Sequence, residues 1–80
     1  MKFRIDIRRK EGLADPEGMT THKALHNLGY TEVTAAHFGR TIYLEIEGSD
    51  AAAAAAEVEA MCRQLLANPV IEDFEIGVVG

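Results

Sequence analysis

Three stretches of alternating apolar residues, separated by helical segments, constrain this chain more than any other feature. Phe3, Ile5 and Ile7 alternate with Lys2, Arg4, Asp6 and Arg8. Ile42, Leu44 and Ile46 alternate with Thr41, Tyr43, Glu45 and Glu47, and Phe74, Ile76 and Val78 repeat the pattern near the end. Successive side chains on a strand point to opposite faces, so each stretch predicts a strand with one buried and one wet face. After the first stretch, Asp15 precedes Pro16, an N-cap followed by proline at the first helical position. The helix it starts is expected to run to about Leu28. Met19, His22, Leu25 and Leu28 recur at three-residue steps and read as one face, flanked by Ala24. Gly29 sits where a left-handed C-cap belongs.

Glu32 to Phe38 reads as a further strand, less cleanly patterned. Phe38-Gly39-Arg40-Thr41 reads as a tight hairpin leading into the next strand, with Gly39 at positive φ. Gly48-Ser49-Asp50 offers a turn and an N-cap for a second helix, expected to about Ala67. Its apolar stripe is Ala51, Ala54, Val58, Met61, Cys62 and Leu65, and Asn68-Pro69 stops it. The resulting order predicts an α+β, ferredoxin-like βαββαβ fold, with a four-stranded antiparallel sheet and two helices on one face. No linker or repeat interrupts the chain, so a single domain over residues 1–80 is expected.

A domain of 80 residues buries only about 60% of the surface its unfolded chain exposes. Such a core has little margin, and oligomerisation is a common remedy. A substrate pocket of roughly 300–1,000 Å³ also needs walls from a larger body. Size therefore favours a binding or assembly module. The net charge of −5 argues against nucleic acid, whose binding rests on Lys and Arg neutralising phosphates. An RNA-binding domain of this topology would also stack bases on aromatics of the central strands, and only Tyr43 is available there. The longest apolar run, Ala51 to Ala56, is far short of the roughly 20 residues of a membrane span. The N-terminus does not read as a signal peptide, and the single cysteine allows no internal disulfide; a cytoplasmic location is expected.

Candidate chemistry is sparse. His22 and His26 have a metal-compatible spacing but no third ligand nearby in sequence, so one half-buried and one solvated histidine are expected. Cys62 falls on the apolar stripe, where no base or helix N-terminus activates it, and reads as an inert buried thiol. Arg8-Arg9-Lys10 and Gly12 precede a helix start, yet Asp15 occupies that start and Pro16 removes a donor; a solvated basic turn, or a surface that meets an acidic partner, is the better reading than a phosphate site. Glu45/Glu47 and Glu72/Asp73 read as solvated pairs. No catalytic, cofactor-binding or metal-binding residue is expected. The sheet face away from the helices, bearing Lys2, Arg4, Asp6, Arg8, Thr41, Tyr43 and Glu45, reads as a surface for a protein partner or a second copy.

Three segments carry a family resemblance. Gly12-Leu13-Ala14-Asp15-Pro16-Glu17-Gly18 with Lys23-Ala24-Leu25-His26-Asn27-Leu28-Gly29-Tyr30 resembles the first half of PurS proteins. The segment from Gly39 to Gly48 resembles their middle, and Cys62-Arg63-Gln64-Leu65-Leu66-Ala67-Asn68-Pro69-Val70-Ile71-Glu72-Asp73-Phe74 their ending. The resemblance implies a small, non-catalytic subunit of phosphoribosylformylglycinamidine synthase, in the fourth step of de novo purine synthesis. It implies a homodimer or higher oligomer that joins a glutaminase subunit to a large synthetase subunit for ammonia transfer. ATP and Mg²⁺ would bind in the synthetase, and no cofactor in this chain. The family assigns this subunit no catalytic residue. The alanine run departs from relatives, which often carry Glu and Lys there; Ala52, Ala53, Ala56 and Ala60 form either a smooth packing face or a purely helix-favouring stretch. An ACT-type regulatory module that binds a small molecule is the alternative of the same topology. Arg8, Arg9, Lys10, Arg40 and Tyr43 are the expected partner contacts, since Arg and Tyr combine contact area with directed hydrogen bonds.

Overall fold

The computed structural model describes residues 1–79. The chain forms β1 (Lys2–Arg9), α1 (Pro16–Asn27), β2 (Gly39–Glu45), α2 (Ala51–Met61) and β3 (Glu72–Val78). A π-helical turn over Cys62–Leu66 continues α2. The sheet is antiparallel in the order β2-β1-β3. The three alternating stretches are therefore the three strands, and their register follows the alternation. Phe3 faces Leu44 and Val78, Ile5 faces Ile42 and Ile76, and Ile7 faces Arg40 and Phe74.

The central strand β1 supplies the heart of the core. Phe3, Ile5 and Ile7 are buried with Ala54, Val58 and Cys62 of the second helical segment. Each such large side chain contributes about 1.5–3 kcal/mol on leaving water. Ile42, Leu44, Ile46, Phe74 and Ile76 flank this cluster and stay partly open. Asp50 caps α2, its carboxylate accepting from the Ala53 amide at 3.1 Å. The Ala67 amide donates to the Cys62 carbonyl at 2.9 Å and closes the wide π turn before Asn68-Pro69.

Two expectations fail. First, the sheet among the described residues has three strands, because Glu32–Phe38 forms neither a strand nor a hairpin. Its bulky residues do not alternate, and the segment packs instead along α1. Gly39 is not at positive φ; it opens β2, and a Cβ there would stand 2.7 Å from the Ile7 carbonyl oxygen. The glycine serves close strand approach rather than a turn.

Second, only α2 covers the sheet. Helix α1 and the returning segment form an arm that projects from one end. The molecule measures 50 × 26 × 14 Å with a radius of gyration of 16.2 Å, against about 12 Å for a compact chain of this length. The three-residue steps misled the face reading. Met19 and Leu28 are nine residues apart, about 900° of helix rotation at roughly 100° per residue, and so lie on opposite flanks of α1. Both are exposed, while Gly18, Thr21, His22 and Leu25 face the returning segment.

Candidate partner-binding surface

The arm is held shut at its base by one carboxylate. Asp15 accepts from the Gly18 amide at 3.0 Å, as the N-cap of α1, and from the Phe38 amide at 2.8 Å. These two bonds, that from Phe38 foremost, hold its carboxyl below the usual range. Gly18 lets the returning backbone approach: a Cβ there would fall 2.0 Å from the Ala36 carbonyl oxygen. Further out, His22 and His26 both bring Nε2 to within 2.8 Å of the Val33 carbonyl oxygen. Their rings meet edge to face at 4.6 Å. Neutral imidazoles protonated at Nε2 would each donate to that oxygen. The pair is thus a structural clasp, and the half-buried and exposed positions expected for His22 and His26 are those observed.

The open face of the sheet carries the alternate residues. Arg4 pairs with Asp6 at 3.0 Å, and the Thr41 hydroxyl donates to Asp6 at 2.8 Å. The Thr41 bond first, and Arg4 second, keep the Asp6 carboxyl below its ordinary range. Arg8 pairs with Glu75 and Lys10 with Asp73, each at 3.1 Å. The Lys2 ammonium lies 5.5 Å from the centre of the Tyr43 ring. The face is a solvated lattice of opposite charges with one aromatic in it. Such exposed pairs add little stability; they give the surface a definite charge pattern.

The five expected contact residues do not form one patch. Arg8, Arg9 and Lys10 line a cleft of about 630 Å³ between the sheet end and the base of the arm, opposite His37 and Phe38. Arg40 joins Arg8 and Arg9 along a smaller recess of about 280 Å³. Tyr43 stands apart on the open face, 57% exposed. Arg40 is also not on a hairpin tip. Its guanidinium grips the Glu72 carboxylate through both Nη atoms, Nη2 at 3.0 Å, and Nη2 donates to the Leu66 carbonyl at 2.7 Å. Glu72 is only 12% exposed and also accepts from the Asn68 amide at 2.8 Å. Arg40, then Asn68, hold its carboxyl below the usual range. Arg40 therefore ties β2 to the end of the π turn, a structural role that the sequence spacing does not reveal.

Cys62 is fully buried, and burial pushes its thiol pKa up. A protonated thiol in a core is a poor nucleophile. No cluster of three His, Cys, Asp or Glu side chains suited to a metal occurs among the described residues.

The surface feature missed from sequence is apolar. Met19, Leu28 and Tyr30 on the arm are 67%, 73% and 61% exposed, and Leu65 and Val70 stand out beside the sheet. The usable signal was the rotation between Met19 and Leu28, which spreads apolar residues over half the helix circumference, more than one returning segment can cover.

Comparison with known proteins gives a consistent result. The family model described as PurS, phosphoribosylformylglycinamidine (FGAM) synthase, matches residues 2–80. The phosphoribosylformylglycinamidine synthase subunit PurS of Methanocaldococcus jannaschii is 42% identical over 77 residues, covering 96% of this chain and 93% of that protein. The Bacillus subtilis subunit is 39% identical over 77 residues, with 96% and 90% covered. The crystal structure of B. subtilis PurS superposes with a TM-score of 0.89 at 38% identity, covering 99% and 98% of the two chains. A chain in the structure of PurLQS from Thermotoga maritima matches with a TM-score of 0.86 at 32% identity, covering 98% and 95%.

Proposed function

The chain belongs to the PurS family of phosphoribosylformylglycinamidine synthase subunits, and from that membership we propose that it contributes assembly to the complex and no chemistry of its own. It serves purine biosynthesis as a subunit of that synthase. Its partners in this reading are a glutaminase subunit, a large synthetase subunit and at least one further copy of itself. Ammonia released from glutamine must reach the synthetase before water captures it, which requires the two enzymes to be docked. ATP and Mg²⁺ belong to the synthetase. A cytoplasmic site of action fits a partner that consumes ATP.

The observation that carries the reading is the uncovered surface. The chain exposes 5866 Å², against about 4,700 Å² expected for a compact monomer of this mass. The excess, roughly 1,100 Å², exceeds the ~800 Å² that each partner contributes to a standard interface, leaving room for contacts to more than one neighbour. The exposed surface includes the large apolar residues Met19, Leu28, Tyr30, Leu65 and Val70, and such residues mark interaction sites when they form a patch. Arg8, Arg9 and Lys10 at the arm base, with Tyr43 on the open face, supply directed contacts to the larger subunits. Arg40 acts behind them by fixing the β2 end.

Reconstitution tests this. Glutamine-dependent synthesis by purified glutaminase and synthetase should need the chain, while the chain alone should hydrolyse neither glutamine nor ATP. Full activity without it, or turnover by it alone, refutes the proposal.

A further inference from the structure

The histidine clasp on the arm has more capacity than two hydrogen bonds use. His22 and His26 stand four residues apart on α1, so one face of the helix carries both. Their Nε2 atoms each lie 2.8 Å from the Val33 carbonyl oxygen, on the segment that returns along the helix. The spacing in sequence offered two ligands; folding adds a third donor, and it is a backbone oxygen. A carbonyl oxygen has two lone pairs, and a neutral imidazole carries its one proton on either nitrogen. With the protons on Nδ1, three donor atoms face one point and both rings stay neutral, which is the form of imidazole that binds metals.

The distances discriminate among ions. Two donors about 2.05 Å from a metal are about 2.9 Å apart at a right angle and about 3.3 Å apart at the tetrahedral angle. The N···O separations of 2.8 Å fit the right-angled case. Two imidazoles and an oxygen in that arrangement suit Cu²⁺ or Ni²⁺, which take tetragonal N,O sites, over tetrahedral Zn²⁺. Mg²⁺ and Ca²⁺ favour sets of oxygen ligands and are excluded by the two imidazoles. His26 is exposed, so an ion reaches the site from solvent and water completes its coordination. Competition among the described residues is slight. His37 lines the cleft at the arm base away from the pair, the Cys62 thiol is fully buried, and the N-terminal ammonium donates to the Ile46 carbonyl.

We propose that His22 Nε2, His26 Nε2 and the Val33 carbonyl oxygen chelate one Cu²⁺ or Ni²⁺ ion, which pins the returning segment to α1. The site goes beyond the assembly reading and does not depend on it. The test uses the full chain and Ni²⁺ alone, because Ni²⁺ does not oxidise the Cys62 thiol. Calorimetry should show one Ni²⁺ per chain. In His22→Gln and His26→Gln the new amide N–H can still donate to Val33, so the arm stays closed, but one imidazole is lost. Each should weaken Ni²⁺ binding by about a hundredfold, since the second donor of a chelate binds at high effective concentration. His37→Gln should bind as the wild type does. Paramagnetic broadening in wild-type NMR spectra gives the location without any variant: the His22 and His26 ring signals and the Val33 and Thr34 backbone signals should broaden first. Binding that survives both clasp substitutions, or that falls equally in His37→Gln, shows an adventitious ion only and overturns the proposal. Broadening that spares Val33 and Thr34 removes the third donor and overturns it too. So does Zn²⁺ binding tighter than Ni²⁺, which contradicts the right-angled geometry, or a sedimenting mass that rises with Ni²⁺, which places imidazoles of two copies on one ion.

Discussion

Replacing Arg40 by Ala removes three charge-assisted hydrogen bonds, two to Glu72 and one to the Leu66 carbonyl. It also leaves a largely covered carboxylate with only the Asn68 amide as partner. A hydrogen bond to a charged group contributes about 1.5–3 kcal/mol when shielded. The guanidinium is 48% exposed, so solvent screening reduces the loss to about 1 kcal/mol for the whole cluster. In a domain of this size that lowers Tm by about 4–8 °C. Arg8→Ala is the matched control: its pair with Glu75 is more than half exposed on both sides, and its Tm should move by no more than about 2 °C. Arg40→Lys should fall between the two, since an ammonium cannot make the forked contact. Thermal melts at one fixed protein concentration compare the three, because Tm of an oligomer depends on concentration. The pH dependence has a definite sign. The folded Glu72 carboxyl is depressed below 4.5 by Arg40, so its contribution is fully present above that value and is lost as pH falls through the folded pKa. The gap between wild type and Arg40→Ala should therefore close in acid. Equal melting of Arg40→Ala and Arg8→Ala at neutral pH would refute the structural role assigned to Arg40.

Three further outcomes follow from the same contacts. Cys62 should resist thiol reagents in the native protein and react only as fast as the chain unfolds; Cys62→Ser should cost about 1–3 kcal/mol for an unpaired buried hydroxyl, yet leave the assembled complex active. Gly18→Ala should keep α1 helical but open the arm base, seen as faster exchange of the Phe38 amide; unchanged exchange would contradict the 2.0 Å approach to Ala36. Tyr43→Ala should shift stability by under about 0.5 kcal/mol while weakening pull-down of the larger subunits; wild-type pull-down would make Tyr43 ordinary surface.

Local pattern alone settled the three strands, both helix starts and the buried place of Cys62. Phe3, Ile5 and Ile7 could be assigned to the core face because strand geometry leaves a period-2 pattern no other arrangement. Asp15-Pro16 and Asp50 marked their helices because N-caps act within a single turn. The open-face residues, including Tyr43, followed from the same alternation. What failed depended on distance. Whether Glu32–Phe38 joins a sheet or lies along α1 turns on the approach of Gly18 to Ala36 and on Asp15 reaching Phe38, contacts 18 and 23 residues apart in the chain. Arg40 sits where the local pattern predicts a hairpin tip, but Glu72, 32 residues away in the chain, holds it. Sequence periodicity specifies which side of an element is apolar, by bond geometry within a few residues. Which surface covers that side is decided only when the whole chain closes, and here one chain leaves its arm and its β2 flank uncovered.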